Sequence, residues 1–236
     1  MAAAHVFVDD LGGPVLSDDD RAHLVRALRL RDGEIVTVSD GRGGSRPCRF
    51  VAADGTVVPD GDVERAPAPV PPVTVALAIP KGDRLEWAVQ KLTETGTDRI
   101  VLLHTDRSVV RWDADGGGDR VARRLDRLRR IAREAAMQSR RIWLPDVAGP
   151  VAFGDALTSP GVCVADAGGG PPSLASPTVL VGPEGGWSDG EREAVAAGGI
   201  SRVSLGPHVL RVETAAVAAA VLLAAFRAGL AGMREE

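Results

Sequence analysis

Between Ala66 and Pro72 the chain reads Ala-Pro-Ala-Pro-Val-Pro-Pro. Each proline removes a backbone N–H and fixes φ, so neither a helix nor an inner strand continues through such a stretch. The segment favours an extended, semi-rigid connector. It divides the chain into parts of about 70 and about 165 residues, so a single uninterrupted sheet or bundle is not expected. Both parts can build a core, because 44% of the residues are hydrophobic.

The two parts carry different patterns. The first reads as short β segments at 5–8, 34–39, 46–53 and 56–64, with turn chemistry at Asp40-Gly41 and Asp54-Gly55. One helix interrupts them, with Ser17 as N-cap, Asp18 to Asp20 in its first turn, and Leu24, Ala27 and Leu28 facing inward. A small β-barrel carrying one helix fits this pattern. After the connector, strand and helix alternate: strands at 73–79, 99–104, 162–165, 178–182 and 202–205, and helices starting near Asp83, Asp119, Ser188 and Val209. That alternation predicts an α/β fold with a parallel, helix-covered sheet.

Composition narrows the function classes. Twenty-eight basic against 32 acidic side chains give a net charge of −4, which by itself argues against a nucleic-acid partner. The total hides its distribution. Residues 119–141 hold nine arginines (Arg120, Arg123, Arg124, Arg127, Arg129, Arg130, Arg133, Arg140 and Arg141) against Asp119, Asp126 and Glu134, a local +6 able to hold phosphates. The alternative is a solvated helix face. Cys48 and Cys163 stand apart from any metal-ligand spacing and read as reduced, buried thiols of a cytoplasmic protein. His5, His23, His104 and His208 form no helix-borne metal pattern. No signal segment is expected, and the most apolar run, 215–226, is shorter than the roughly 20 residues of a membrane span.

Two segments carry the chemistry. Val179 to Ser188 (VLVGPEGGWS) is a strand that ends in a Gly-Pro turn and enters a helix. Val203 to Thr214 (VSLGPHVLRVET) repeats that plan, with Arg211 and Glu213 at the mouth of an apolar helix. Ligands of parallel α/β sheets bind at the carboxyl ends of strands. On neighbouring strands, two such loops can enclose a flat, uncharged ring. The plain readings are an ordinary βα turn for the first and a capping ion pair for Arg211 and Glu213. Neither segment is a phosphate loop, since Gly-x-Gly-x-x-Gly and Gly-x-x-x-x-Gly-Lys-Ser/Thr are both missing here.

These residues resemble the cofactor motifs of the RsmE family of the SPOUT superfamily of RNA methyltransferases: Gly182 to Ser188, then Leu205 to Ala215. Further blocks agree, at 81–87 (KGDRLEW), 90–94 (QKLTE), 107–110 (RSVV), 134–136 (EAA), 138–141 (QSRR), 23–29 (HLVRALR) and 40–43 (DGRG). The resemblance covers nearly the whole chain. It departs at His5, where related sequences often place an arginine just before the first strand.

The resemblance implies a PUA-like RNA-binding barrel over 1–70 and a SPOUT α/β domain over 73–236, with a mainly parallel sheet and a deep trefoil knot. It implies a cytoplasmic homodimer that uses S-adenosylmethionine to methylate N3 of a uridine in 16S rRNA of the 30S subunit, the one conventionally numbered 1498. Neither a metal nor a membrane is called for. Val181, Gly182, Pro183, Glu184, Gly185, Gly186, Leu205, Gly206, Val209, Leu210 and Arg211 are then the expected cofactor residues. His23, Arg26, Arg29, Arg107, Arg111, Arg140 and Arg141 are the expected RNA contacts. Arg211 stabilises charge on the uracil oxygens, and Glu184 or Glu213 accepts the N3 proton or orients Arg211. The competing readings are methylation at another RNA position, such as a ribose 2′-hydroxyl, and a non-catalytic rRNA-binding assembly factor.

Overall fold

The computed structural model of the protein describes residues 2–112 and 118–231. The chain separates into two compact units, Met1–Ala68 with Arg133–Leu144, and Pro69–Ala132 with Pro145–Glu236. The first division falls in the proline-rich connector. The second falls inside a long helix, so the first unit also takes in a segment far along the chain.

In the first unit β1 (Ala4–Phe7) runs parallel to β2 (Ile35–Ser39). Antiparallel to β2 lies β3 (Gly44–Val51), which in turn pairs with β4 (Thr56–Pro59) and β5 (Glu64–Arg65). Val6, Leu24, Val36, Val38 and Phe50 make the core. The first helix, α1 (Asp18–Ala22), starts at Ser17, whose hydroxyl accepts the Asp20 N–H as expected. It then widens into a π-turn, His23–Ala27, closed by Leu28 N–H on the His23 carbonyl. A wider turn shifts later residues off the α-helical stripe. Leu24 is buried, but Ala27 and Leu28 are exposed, contrary to the α-periodic expectation.

Polar side chains lock this unit. Arg133 forks onto Asp20 at 3.0 and 2.7 Å, donates to the Phe7 carbonyl, and lies over the Phe7 ring. One of the nine arginines of the basic run is therefore a strut of the first unit. His5 is buried and bonded to Ser39 Oγ at 2.8 Å; burial, aided by the Arg140 and Arg133 charges, brings its pKa down to about 4. His5, the position where the resemblance departs, is thus a core group.

The second unit is a six-stranded parallel sheet in the order β11-β9-β10-β6-β7-β8. Its strands are β6 (Thr74–Ala78), β7 (Arg99–His104), β8 (Asp146–Ala152), β9 (Val162–Gly170), β10 (Thr178–Val181) and β11 (Ser201–Val203). On one face pack α2 (Arg84–Glu94), α6 (Val212–Arg227) and the Val121–Ala132 part of α3 (Gly118–Gln138). On the other lie α4 (Phe153–Ala156) and α5 (Asp189–Ala197). The expected inward residues of α2 (Leu85, Val89 and Leu92) are buried, and Gly96, with φ of +95°, follows its last turn. Strand β8 and helix α4 were not expected. Strand β8 contains Gly149-Pro150 but lies at the sheet edge, where proline is tolerated, and its pairing with β7 shifts register.

Cys48 and Cys163 are free and buried, and burial pushes the Cys163 thiol up to about 12. Among the described residues no helix is long and apolar enough to cross a membrane, and no group of three or more His, Cys, Asp or Glu is disposed to hold a metal ion.

Candidate functional site

Strand β10 delivers the first Gly-Pro loop. At Gly182 an added Cβ would lie 3.0 to 3.2 Å from the Trp187 ring, so the backbone rests on the indole. Trp187 donates from Nε1 to the Ala165 carbonyl of β9 at 3.0 Å and packs on Phe153. The turn closes through Gly186 N–H on Pro183 O, with Gly186 at φ of +67°. Ser188 then caps α5 in a reciprocal box with Glu191. Buried Glu191 also accepts the Asp106 N–H, and Ser188 Oγ donates to Asp106 Oδ2. The loop after β7 is thereby fastened to this one, and Arg107 adds a bond to the Gly185 carbonyl at 3.0 Å.

The second loop, 204–211, joins β11 to α6. Gly206 has φ of +143°, a region that side-chain-bearing residues rarely adopt, and Ser204 Oγ bonds within the loop. Val209 is 100% exposed. Arg211 takes the N-cap position of α6 and makes no side-chain cap. The expected start of this helix at Val209 moves to Val212, because the loop reaches out before turning in.

Between the two loops lies a cavity of about 380 Å³. Val181, Trp187, Leu205, Leu210, Val212 and Ala215 supply apolar surface; Asp166, Glu184, Arg192 and His208 supply polar groups. Its volume is in the range of nucleoside-sized ligand sites. The two loops do not come from neighbouring strands, since β9 lies between β10 and β11 and adds Ala165 to Ala167 to the wall. The strand expected at 162–165 is longer, since β9 continues through the glycine run at 168–170. At Gly169 a Cβ would collide with the β11 backbone at 2.4 Å.

Nine of the eleven expected cofactor residues line this cavity: Val181, Gly182, Pro183, Glu184, Gly186, Leu205, Gly206, Val209 and Leu210. Gly185 and Arg211 do not; the Cβ position of Gly185 faces Arg107. Glu213 is buried, and its neighbour is Arg84, whose Nε stands 3.7 Å from Oε1. Ser204 and His208 belong to the second segment but are not among the expected cofactor residues; Asp166 and Arg192, outside both loops, are marked by no short-range spacing.

The expected RNA contacts are distributed over both units. His23, Arg26 and Arg29 are exposed around the π-turn, and Arg29 has φ of +52°. Arg107 and Arg111 are exposed on the loop after β7. Arg140 is exposed but donates to the Ala2 carbonyl at 2.8 Å, and Arg141 is half-buried. On α3, Arg127 pairs with Glu86, Arg129 with Asp126, and Arg124 stacks on Trp112. Arg120, Arg123 and Arg130 are exposed with no carboxylate partner among the described residues. The basic run is thus partly structural and partly available to anions.

Comparison with known proteins identifies the family. A family model described as an RNA methyltransferase domain matches residues 66–224, and one described as an RNA methyltransferase PUA domain matches residues 16–56. Ribosomal RNA small subunit methyltransferase E of Mycobacterium bovis is 35% identical over 93% of this chain and 90% of its own length. The protein of that name from Bacillus subtilis is 28% identical over 85% of each. The crystal structure of ribosomal RNA small subunit methyltransferase E from Neisseria gonorrhoeae bound to S-adenosyl methionine superimposes with a TM-score of 0.73 at 25% identity, covering 92% of this chain and 94% of that one. The chain belongs to the RNA methyltransferase family, among the ribosomal RNA small subunit methyltransferases E.

Proposed function

We propose that this chain uses S-adenosylmethionine to methylate N3 of a uridine in 16S rRNA, the one conventionally numbered 1498, on the 30S subunit, as a cytoplasmic homodimer. The observation that carries the reading is the apolar cavity held between two glycine-proline loops at the carboxyl ends of β10 and β11. It fits the cofactor chemically. Apolar walls suit the faces of adenine, loop backbone groups suit its polar edge, and Asp166, Glu184, Arg192 and His208 suit the ribose hydroxyls and the charged amino-acid end. The proposed cofactor residues are the nine expected ones that line the cavity: Val181 to Glu184, Gly186, Leu205, Gly206, Val209 and Leu210. When bound, S-adenosylmethionine supplies a methyl group already activated on a sulfonium.

The chain's own residues then act on the base. Uridine N3 lies on a pairing edge, so the base is unpaired or flipped before it reaches the site. Glu184, exposed on the cavity wall, or Glu213 accepts the N3 proton, and Arg211 stabilises the resulting charge on the uracil oxygens. His23, Arg26, Arg29, Arg107, Arg111, Arg140 and Arg141 hold RNA phosphates.

Residues 1–70 form the PUA-like RNA-binding domain in this reading, with the five-stranded sheet curling into a barrel, and residues 73–236 form the SPOUT domain. The return of α6 from edge strand β11 to pack on α2 and central β6 supports a chain threaded as a trefoil knot. The test is to incubate the protein with S-adenosylmethionine and either naked 16S rRNA or 30S particles, then identify the modified nucleoside by mass spectrometry. N3-methyluridine is expected. A 2′-O-methyl product, or cofactor binding without any product, overturns the reading.

A further inference from the structure

Helix N-termini carry partial positive charge and free N–H groups, so acidic and hydroxyl side chains are favoured there and cations are not. Helices α1 and α5 follow the rule, with Ser17 and Ser188 as caps. Helices α2 and α6 each carry an acid in the first turn, Glu86 and Glu213, but start beside an arginine. Arg84 is the first residue of α2, behind an Asp83 that makes no side-chain cap, and α6 is preceded by Arg211, which has no acceptor to cap with.

Glu213, in the first turn of α6, lies against this arrangement. Its side chain is nine-tenths buried, and Oε1 stands 3.7 Å from Arg84 Nε, beyond hydrogen-bonding distance. Its other oxygen, Oε2, is buried with no hydrogen-bond partner. A desolvated carboxylate oxygen without a donor is costly. Val212 and Ala215, on the same helical turn, line the cavity. Departures from local rules concentrated beside a cavity mark functional positions.

We propose that Arg84 is a second guanidinium of the uridine site, positioned by Glu213, and that with Arg211 it receives the anionic uracil ring formed when N3 loses its proton. This rests on the uridine-N3 reading above. The negative charge of the ionised imide spreads over O2, N3 and O4, which suits a pair of cations. Glu213 Oε2 is the spare acceptor that completes a two-point grip on the Arg84 guanidinium as the site closes around substrate. Glu184 is then the proton acceptor: the N3–H proton passes to its carboxylate, the N3–methyl bond forms from the N3 lone pair, and the sulfur–methyl bond breaks with its electron pair remaining on sulfur.

The assay is N3-methyluridine formation on 30S particles across a pH series, with S-adenosylmethionine affinity measured by calorimetry. Arg84→Ala is expected to lower kcat about 30-fold at neutral pH. The loss shrinks at higher pH, where the imide ionises with less help, and cofactor affinity changes less than about twofold. Arg84→Lys restores part of the rate. Glu213→Gln alone costs about tenfold in kcat but little more in the Arg84→Ala background, because the two residues act as one unit. An equal loss at every pH, or Glu213→Gln costing the same factor with and without Arg84, overturns the proposal while leaving the methyltransferase reading intact. A wild-type protein that makes no N3-methyluridine overturns both.

Discussion

The two loops that bound the cavity share a Gly-Pro start and differ in how they are held. The first is clamped throughout: Trp187 lies under Gly182 and is bonded to β9, Gly186 closes on Pro183, and Ser188 and Glu191 tie the helix start to the loop after β7. The second is held at its start by Ser204 N–H on the Gly170 carbonyl and Ser204 Oγ on the Gly206 carbonyl, and continues through a glycine at φ of +143° to a fully exposed Val209. One wall is therefore pre-formed and the other is free to adapt. A pre-formed wall lowers the ordering cost of binding, and an adaptable wall can close over the ligand once it is seated.

If the first wall depends on Trp187, removing it gives the largest effect. Trp187→Ala deletes a buried aromatic and its bond to β9, at a cost of about 3–5 kcal/mol in stability. Chemical denaturation should show that loss, together with loss of S-adenosylmethionine binding. A near-wild-type midpoint would break the contrast between the walls. Gly182→Val comes next. It forces a branched side chain into a position where even Cβ lies 3.0 Å from the indole, costing about 1–3 kcal/mol. Calorimetry is expected to show at least tenfold weaker cofactor binding; retained affinity would mean the indole can move aside.

This contrast explains what was legible in sequence. The first loop could be read because a buried strand, a Gly-Pro turn and a Ser188 cap are all local signals, and local signals also fixed α2, α3 and β7. The partners that shape the cavity are long-range. Ala165 to Ala167 belong to a strand whose end is disguised by three glycines, and nothing near Glu213 in sequence points to Arg84. Strand order was hidden too, since β9 slips between β10 and β11. Charge was legible only as a total along the run: Arg133 serves Asp20, and Arg127 serves Glu86. The π-turn after α1 has no local signal, because the spacing of Leu24, Ala27 and Leu28 predicts an α-helix running on past Ala22.

The second wall should respond more mildly. Gly206→Ala meets no atom within 4 Å, so its penalty is conformational only, about 1 kcal/mol. Because the loop is loosely held, part of the strain relaxes in the free protein and returns when the ligand draws the loop in. Cofactor affinity is expected to fall about fivefold with the unfolding midpoint nearly unchanged. Hydrogen exchange offers a second view: ligand should slow exchange at 204–211 more than at 182–188. Equal slowing would show that both walls adapt.

Gly185→Ala is the smallest and most discriminating change. Gly185 belongs to the first loop's glycine motif, yet its Cβ position faces outward to Arg107 at 3.4 Å and its carbonyl accepts that guanidinium. It has no positive φ to relieve and contributes no surface to the cavity. Affinity for S-adenosylmethionine should therefore stay within about twofold of wild type. The Arg107 side chain must give way slightly, so any effect belongs on RNA binding, read as a reduced salt slope. A tenfold loss of cofactor affinity would instead make the whole glycine motif, and not only its cavity-facing members, part of the pre-formed wall.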